Sequence, residues 1–364
     1  TGNENAGNFG SKSTYKLNDA PSYFGEFIQL MCFGNPNLDW TKTYSLSYSL
    51  SGRFLNNMLS LTLAGFRNFT DPMIITMPLP LSVGLTDGIP KNIGKLTTTG
   101  LDFQFDARLI NKKDWTLTVG INAPLFYKSV YSGLGDALSK FNDSARKGGY
   151  AQRYYDGASP DDLYAVRSLG IGQGMGMEVF LDKDGNYTYL FDKNNEVVVG
   201  SSRPVSQGNI NMRLRYRRFT LSVYTRYVLQ EMKFNSALYN KVENITPEKM
   251  EFNQDRRALY VRWQKPGDDA SFLGITQQSL GMSSRFLQKE NTLYVEGINF
   301  NYDLLDQYSQ GLKDRIRKKL GMRSLNMGIT TSNIFQFQLS NIKLERGIDY
   351  PFQRSVTVNL SITF

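Results

Sequence analysis

The residues of this chain best suited to chemistry are two groups of aspartates. The first is the run DKDGN at 182–186, which is arranged like part of an EF-hand loop whose oxygen ligands would bind calcium. An EF-hand loop needs glycine at its sixth position and glutamate at its twelfth, whereas Gly185 is fourth counting from Asp182. The flanking runs, VFL before and YTYL after, favour a β-hairpin whose turn is Asp184-Gly185. The sequence therefore predicts a hairpin here in preference to a calcium site.

The second group contains Asp102 and Asp106, which lie four residues apart. On a β-strand this spacing puts both carboxylates on one face, where they could imitate the acid pair of a glycosidase. Arg108 is two residues further along the same face, which favours a charged wall over an acid–base pair.

Histidine is absent from the chain, and Cys32 is its only cysteine. Ser-His-Asp and Cys-His catalysis, His-ligated zinc and the usual general base near neutral pH are therefore excluded. A single cysteine forms no internal disulfide and no Cys-based metal site, so we expect Cys32 to behave as a small apolar residue. The sequence predicts no catalytic residues, no cofactor and no metal site.

The elements that carry these residues are predicted by alternation. In Val356–Phe364 (VTVNLSITF), the even-numbered residues are apolar and the odd-numbered residues are polar. This is the pattern of a strand with one apolar and one polar face. Such strands form outer-membrane β-barrels, and no stretch approaches the roughly 18–20 apolar residues of a membrane helix. Nine segments look long enough to cross: 43–50, 56–69, 101–109, 115–122, 212–216, 219–223, 290–303, 324–330 and 354–364.

The links between these segments favour a barrel over a soluble β-sandwich, which also alternates. Short links near 51–56, 110–114 and 217–218 alternate along the chain with long links near 70–96, 128–202 and 232–289. Tight periplasmic turns and long external loops are typical of outer-membrane barrels. Counting back from a periplasmic end places 331–353 outside and 304–320 in the periplasm. We therefore predict an all-β, antiparallel transmembrane β-barrel, multi-pass in the cell outer membrane.

The free-energy cost of exposing a charge to lipid predicts which face of each strand is turned to the lumen. A Lys or Arg that faces lipid at mid-membrane costs about 2–4 kcal/mol, so the charged residues of the strands are expected to face the lumen and to meet a plug or water. These candidates are Asp102, Asp106, Arg108, Arg213 and Arg215. Trp115, Tyr216, Phe219 and Phe364 lie next to the predicted periplasmic ends, where an aromatic girdle is expected.

The link 304–320 is predicted to be a short basic amphipathic helix. Leu312, Ile316 and Leu320 recur every four residues among several Lys and Arg residues. A solvated helix on the barrel rim and contact with lipid phosphates both agree with this pattern. A second helix start is predicted at Thr246-Pro247-Glu248, within an external link.

The chain carries a formal net charge of +9. Nucleic-acid binding needs that charge concentrated on a face or a helix, whereas most Lys and Arg are scattered among loops and alternating strands. Nucleic acid is therefore not an expected partner. A basic outer-membrane protein would instead meet anionic lipid and acidic solutes.

Several short motifs together resemble the SusC/RagA family of TonB-dependent outer-membrane transporters of Bacteroidetes. Each is weak alone, but they follow the family's order over essentially the whole chain. They are TGNENAG at 1–7, YAVRSLGI at 164–171, EVFL at 178–181 with Asp184-Gly185, RWQKPGD at 262–268, SRF at 284–286, SNIF at 332–335 and the closing RSVTVNLSITF.

The resemblance implies a barrel of 22 strands filled by an N-terminal plug, of which this chain would supply about nine C-terminal strands. It also implies nutrient import, often of oligosaccharides or peptides, with a SusD-like surface lipoprotein as lid, and TonB as the source of energy through the plug. We expect residues 1–40 to be mostly external loop and 41–364 to be strands and loops of one barrel domain, without the plug.

Thr1 is not expected to be a native start, because TGN in this family follows a strand. The missing strands would lie in another chain or segment of a split or cleaved transporter. The leading hypothesis is import, in which this chain forms barrel wall and external loops. A non-transporting scaffold, attachment or secretion barrel is the alternative, and a soluble sugar-binding β-sandwich is a third.

Overall fold

The computed structural model describes residues 10–18, 27–77, 79, 88–148, 153–245, 251, 253–274, 281–305, 310–338 and 354–364. The strands in these ranges are β1 (Thr14–Asn18), β2 (Phe27–Cys32), β3 (Thr43–Phe54), β4 (Leu59–Thr70), β5 (Ile74–Met77), β6 (Ile89–Asn92), β7 (Lys95–Asn111), β8 (Trp115–Ser132), β9 (Asp162–Ile171), β10 (Glu178–Leu181), β11 (Tyr187–Thr188), β12 (Glu196–Ser201), β13 (Ser206–Tyr216), β14 (Phe219–Phe234), β15 (Leu287–Asp303), β16 (Ser324–Gln338) and β17 (Ser355–Thr363). The helices are α1 (Ser139–Gly148), α2 (Arg257–Tyr260) and α3 (Gln310–Leu320). Short 3₁₀ turns occur at Lys193–Asn195 and Ser284–Phe286, and a π-helical turn at Leu238–Glu243. Within the ranges given above, none of the helices combines the length and apolar character needed to cross a membrane.

One antiparallel sheet of nine strands dominates the fold, in the order β17-β16-β15-β14-β13-β8-β7-β4-β3. Its members are the nine predicted segments, and each strand pairs with its sequence neighbour in the sheet. The prediction of an antiparallel sheet with short and long links in alternation is therefore confirmed. The three tight turns join β3 to β4, β7 to β8 and β13 to β14.

The strands are longer than their alternating segments, and the added length lies at the end of the long links. β8 was predicted over 115–122 and continues to Ser132, while β14 was predicted over 219–223 and continues to Phe234. β16 likewise continues to Gln338, into the predicted link 331–353. These strands of 15–18 residues are longer than the roughly 9–11 residues that a membrane-spanning strand needs.

β-Bulges explain why the alternation in the sequence stops early. The pairing register shifts at Leu101/Asp102 of β7, where β8 has the extra residue, and at Tyr224/Thr225 of β14, where β15 has it. It shifts again between Val228 and Glu231, where β14 itself has the extra residue. A bulge adds one unpaired residue and so breaks the period of two. The face of a residue beyond a bulge therefore cannot be read from alternation alone.

The long links contain structure of their own. The link between β8 and β13 holds α1 and a four-stranded sheet in the order β11-β10-β9-β12, and the link between β4 and β7 holds the hairpin β5–β6. The segment expected to be mostly loop, 1–40, contains the hairpin β1–β2. A buried cluster joins the β4–β7 and β8–β13 links through Met73, Ile75, Tyr131, Leu134 and Leu138.

The predicted helix in 304–320 is present as α3. The stretch TGNENAG at 1–7 and the predicted helix start at Thr246-Pro247-Glu248 lie outside the described residues, as does most of the link after β16.

Candidate functional site

The five predicted site residues lie on one face of the main sheet. Asp102, Asp106 and Arg108 are on β7, and Arg213 and Arg215 are on β13, with β8 between them. Thr118 of β8 pairs with Arg108 on one side and with Arg213 on the other. Directly paired residues of antiparallel strands point to the same face, so the structure brings these side chains into one surface.

This polar face continues across the sheet. Gln104 pairs with Thr62 and with Asn122, and its side-chain amide donates a 3.1 Å hydrogen bond to Asp106. Towards the other edge, Ser222 pairs with Asn299, which pairs with Thr330 and so with Thr357. Hydroxyl and amide groups therefore cover this face from β4 to β17.

The opposite face is apolar and exposed at both edges of the sheet. Phe103 pairs with Leu63, and Phe105 pairs with Leu61 and Ile121. At the edge strands, the exposed fraction is 73% for Leu50 and 67% for Val358. Exposed apolar surface on this scale marks a membrane or protein contact.

A row of aromatic rings closes the apolar face at the end with tight turns. The ring centroids of Trp115 and Tyr216 are 4.1 Å apart, and those of Phe219 and Tyr302 are 4.6 Å apart. Tyr216 pairs directly with Phe219, so the row runs without a break over four strands. These rings include three of the four predicted girdle residues, and Phe364 lies at the same end, beside the pair Ser324 and Thr363.

On the side of the long links, a buried ion cluster joins the small sheet to the link between β14 and β15. Arg285 donates to the carboxylate of Glu178 at 3.1 Å and to that of Glu243 at 2.9 Å. Glu178 and Glu243 have side chains 0% and 1% exposed. The hydroxyl of Ser283 donates to Glu178 at 2.5 Å, which uses the second carboxylate oxygen.

Arg262 is also part of this cluster and donates to backbone carbonyls. Its guanidinium donates to the carbonyls of Val242, Glu243 and Leu273, while the N–H of Leu273 donates to Glu243 at 3.2 Å. These contacts hold the π-helical turn against the segment that contains Arg262 and Leu273. A buried charge is tolerated only when it is paired and hydrogen-bonded in this way.

The electrostatics of the cluster follow from burial and neighbours. Burial acts to lower the pKa of Arg285, but the charges of Glu178 and Glu243 and their hydrogen bonds outweigh it and raise that pKa. Burial lowers the pKa of Arg262, with Glu243 opposing the change. Both guanidiniums remain charged at any physiological pH.

A second buried ion cluster joins α1 and its following segment to β12. Arg153, whose side chain is fully buried, donates to both carboxylate oxygens of Glu196 at 3.0 Å, and Arg146 donates to the same carboxylate at 3.1 Å. Arg153 also lies 5.8 Å from the ring centroid of Tyr164. Burial, with a smaller contribution from Asp162, raises the pKa of Tyr164 to about 12, so its hydroxyl stays protonated.

The small sheet is held to the main sheet by Arg203. Its guanidinium lies 3.5 Å from the ring centroid of Tyr127 on β8 and donates to Asp161 at 2.7 Å. Further along, the side chain of Met232 on β14 fills the space over Gly200, where a Cβ would lie 2.4 Å from its sulfur. The module formed by β9–β12 therefore packs on the wall strands instead of projecting freely.

The run at 182–186 forms the predicted hairpin turn between β10 and β11. One carboxylate oxygen of Asp182 accepts from the N–H groups of Asp184 and Asn186, at 2.9 and 2.8 Å, and Gly185 has a φ of +86°. Hydrogen bonds from Asn186 lower the pKa of Asp182. Among the described residues, no group of three or more His, Cys, Asp or Glu is placed to hold a metal ion.

Comparison with known proteins identifies the family. The family model for the TonB-dependent receptor-like β-barrel matches residues 2–244. The chain belongs to this family. Members of the TonB-dependent receptor-like family are outer-membrane β-barrels, and the chain is accordingly an outer-membrane protein.

Individual relatives agree with the SusC/RagA resemblance. The TonB-dependent receptor SusC of Bacteroides thetaiotaomicron is 23% identical over 352 residues, covering 90% of this chain and 32% of SusC. The structure of the RagAB peptide transporter superposes with a TM-score of 0.75 at 18% identity, over 93% of this chain and 36% of that one. A RagAB importer structure in the open-open state gives a TM-score of 0.71. This chain thus spans about a third of the length of these relatives.

Several of the motifs that resemble the SusC/RagA family contact one another in this TonB-dependent receptor-like chain. The hydroxyl oxygen of Ser284, from SRF, accepts a 2.9 Å hydrogen bond from the backbone N–H of Ser168 on β9. The indole of Trp263, from RWQKPGD, donates to the carbonyl of Gln173 at 2.8 Å. Arg285 of SRF reaches Glu178 of EVFL.

Sequence reasoning missed the ion cluster as a unit, because Glu178 and Arg285 are 107 residues apart. The signal that the sequence offered for a buried ion pair was one charged residue within a short motif, glutamate in EVFL and arginine in SRF.

Proposed function

We propose that this chain supplies part of the wall and the external links of a TonB-dependent outer-membrane importer of the SusC/RagA type. The observation that carries the proposal is the nine-stranded sheet with a polar face and an exposed apolar face. In a barrel the apolar face contacts lipid and the polar face lines the lumen. On this proposal Asp102, Asp106 and Arg108 face the lumen, as do Arg213 and Arg215.

The rest of the barrel is proposed to lie outside this sheet. β3 and β17 each pair on one side only among the described residues, so the sheet has two edges. Closure removes such edges in a membrane, where unpaired backbone groups are costly. Relatives about three times as long agree with a barrel near 22 strands, with a plug among the remaining residues.

The substrate is proposed to be a peptide or an oligosaccharide. RagAB is described as a peptide transporter and SusC as a TonB-dependent receptor, but identities of 18% and 23% do not choose a substrate. The module of β9–β12 and its ion cluster would face the substrate or a SusD-like lipoprotein lid. Energy would come from TonB through the plug, and we propose no catalytic role for this chain.

Uptake by cells tests this function. A strain that lacks the full-length protein is complemented with the wild type, and uptake of labelled peptide and oligosaccharide pools is compared with and without TonB. Import of one class that needs both the protein and TonB is the expected result. Correct assembly in the outer membrane without any TonB-dependent uptake would favour the scaffold alternative.

A further inference from the structure

The excess positive charge of the chain is concentrated at the end of the main sheet that carries the tight turns. The long link 133–205 contains more Asp and Glu than Lys and Arg, whereas the links at the opposite end contain mostly Lys and Arg. Described members of this basic edge are Lys112, Lys113, Arg217, Arg218, Arg315, Lys319 and Arg323. The acids beside them are Asp114, Asp303 and Asp314. The edge is therefore strongly cationic.

Backbone hydrogen bonds connect the separate turns of this basic edge to one another. The N–H of Arg217 donates to the carbonyl of Asp114 at 2.9 Å, which ties the β13–β14 turn to the β7–β8 turn. The N–H of Asp303 donates to the carbonyl of Arg218 at 3.0 Å, and this places the start of the β15–β16 link beside the same turn. Arg323, at the end of that link, donates from its N–H to the carbonyl of Thr363. The cations are thus held in a continuous row across six strands.

The row lies immediately beyond the aromatic rings that close the apolar face. Lys112 and Lys113 precede Trp115 by two or three residues, and Arg217 and Arg218 separate Tyr216 from Phe219. The guanidinium of Arg217 lies 5.4 Å from the ring centroid of Tyr216. Aromatic girdles mark the level of the lipid headgroups in barrels, so these cations lie at headgroup depth.

The helix α3 adds charge to the same edge. It spans Gln310–Leu320 between β15 and β16, with Arg315 and Lys319 exposed and Ile316 half-buried. Leu320, at the end of the helix, is 58% exposed. A short helix with exposed cations and an apolar residue at its end is suited to lie in a membrane interface.

We propose that this basic edge binds the headgroups of anionic phospholipids in the leaflet next to the tight turns. Lys and Arg beside an anionic membrane surface each strengthen attachment, and the contribution falls within a Debye length. A row of cations at headgroup depth fits a lipid surface better than it fits a nucleic acid or a soluble polymer. Bound lipid would fix the depth of the barrel and cover the turn end of the girdle.

The test is lipid binding by the delipidated full-length protein in detergent, followed by native mass spectrometry. Phosphatidylglycerol and phosphatidylcholine with the same acyl chains are titrated into the wild type and into a variant with Lys112→Gln, Lys113→Gln and Lys319→Gln. A matched control removes three exposed lysines from the opposite end: Lys140→Gln, Lys183→Gln and Lys265→Gln. A third variant keeps the charge with Lys112→Arg, Lys113→Arg and Lys319→Arg.

The wild type, the control and the arginine variant are expected to prefer phosphatidylglycerol, with binding that weakens as salt rises. The glutamine variant should bind it at least about tenfold more weakly, since each cation at an anionic surface is worth about fivefold in affinity. Equal binding of the two lipids, or an equal loss in the control, would overturn the proposal. Loss in the arginine variant would also overturn it, by making the effect structural. Stronger, lysine-dependent binding of peptidoglycan fragments with no lipid preference would assign the edge to the cell wall instead.

Discussion

Arg285 is the residue on which the arrangement of the two longest links depends most. It pairs with two buried carboxylates, Glu178 from the small sheet and Glu243 from the π-helical turn. Removing one partner from a buried ion pair leaves an uncompensated charge, whereas removing an exposed pair changes little. The cluster therefore acts as a structural joint between links.

Replacing Arg285 with Met should loosen this joint. The two carboxylates would then repel each other without a cation, and breaking a buried pair costs about 3–5 kcal/mol. Hydrogen exchange of the backbone around 271–273 and 283–286 should accelerate by at least about 100-fold. The control is Arg226→Met, which breaks an ion pair with Glu296 whose side chains are 42% and 45% exposed, and it should alter exchange less than about fivefold. Equal exchange in both variants would show that the cluster does not hold the links.

The turn at 182–186 gives a second prediction, on pH. The pKa of Asp182 is lowered mainly by hydrogen bonds from Asn186, so its stabilising effect is present above the unfolded-state value of about 3.9 and is lost as pH falls through the folded value. Asp182→Ala should open the hairpin at neutral pH, seen as faster exchange at Tyr187. Wild-type exchange at Tyr187 should speed up beyond its intrinsic pH dependence only below about pH 4. Slower exchange on adding calcium to the wild type would instead support the calcium interpretation.

At the scale of residues, contacts between sequence neighbours could be predicted, and contacts between distant segments could not. Asp184-Gly185 predicted its own turn, because glycine at positive φ and the flanking strands are adjacent in sequence. The joint at Arg285 depends on residues from three separate segments, and no local pattern reports which charge will be buried with which.

At the scale of elements, each main-sheet strand was predictable but not its full length. The apolar/polar period is imposed where one face meets lipid and the other meets water. Near the long links, strands such as β8 and β14 pack against the module of β9–β12, and the period is no longer required. Arg226 and Val228 of β14 share one face with Tyr294 and Thr292 of β15, a mixture that no alternation rule predicts.

Opposite faces of β7 should respond differently to charge. Phe103→Arg places a cation on the apolar face at mid-strand and should cost about 2–4 kcal/mol, with reduced assembly. Gln104→Arg, one residue away on the polar face, is the matched control and should assemble like the wild type. Heat-modifiable mobility of the full-length protein extracted from outer membranes measures both. Normal assembly of Phe103→Arg together with failure of Gln104→Arg would reverse the assignment of faces.

At the scale of the whole molecule, the proposed function makes the chain one sector of a larger wall. The packed links, the sheet and the basic edge follow one another in that order along the strands, with the aromatic row between the apolar face and the basic edge. The sequence predicted the sector because its periodicity and its links agree with one geometry. It did not predict the module of β9–β12 packed on β8 and β14, since that contact is made through Arg203 and Met232, which lie far from their partners along the chain.

The central claim is that the apolar face of the nine-stranded sheet contacts lipid while the polar face is hydrated. Single spin labels at 103, 105 and 358, and at 104, 106 and 359, can be introduced into the full-length protein after Cys32→Ser and removal of any cysteine elsewhere in it. The labelled proteins are then reconstituted in vesicles. Collisions with oxygen, which concentrates in lipid, are then compared with collisions with a water-soluble nickel chelate. Preferential oxygen access is expected at the first three sites, and preferential nickel access, or protection from both reagents, at the second three. Nickel access at 103, 105 and 358, or protection of those sites from both reagents, would contradict the central claim.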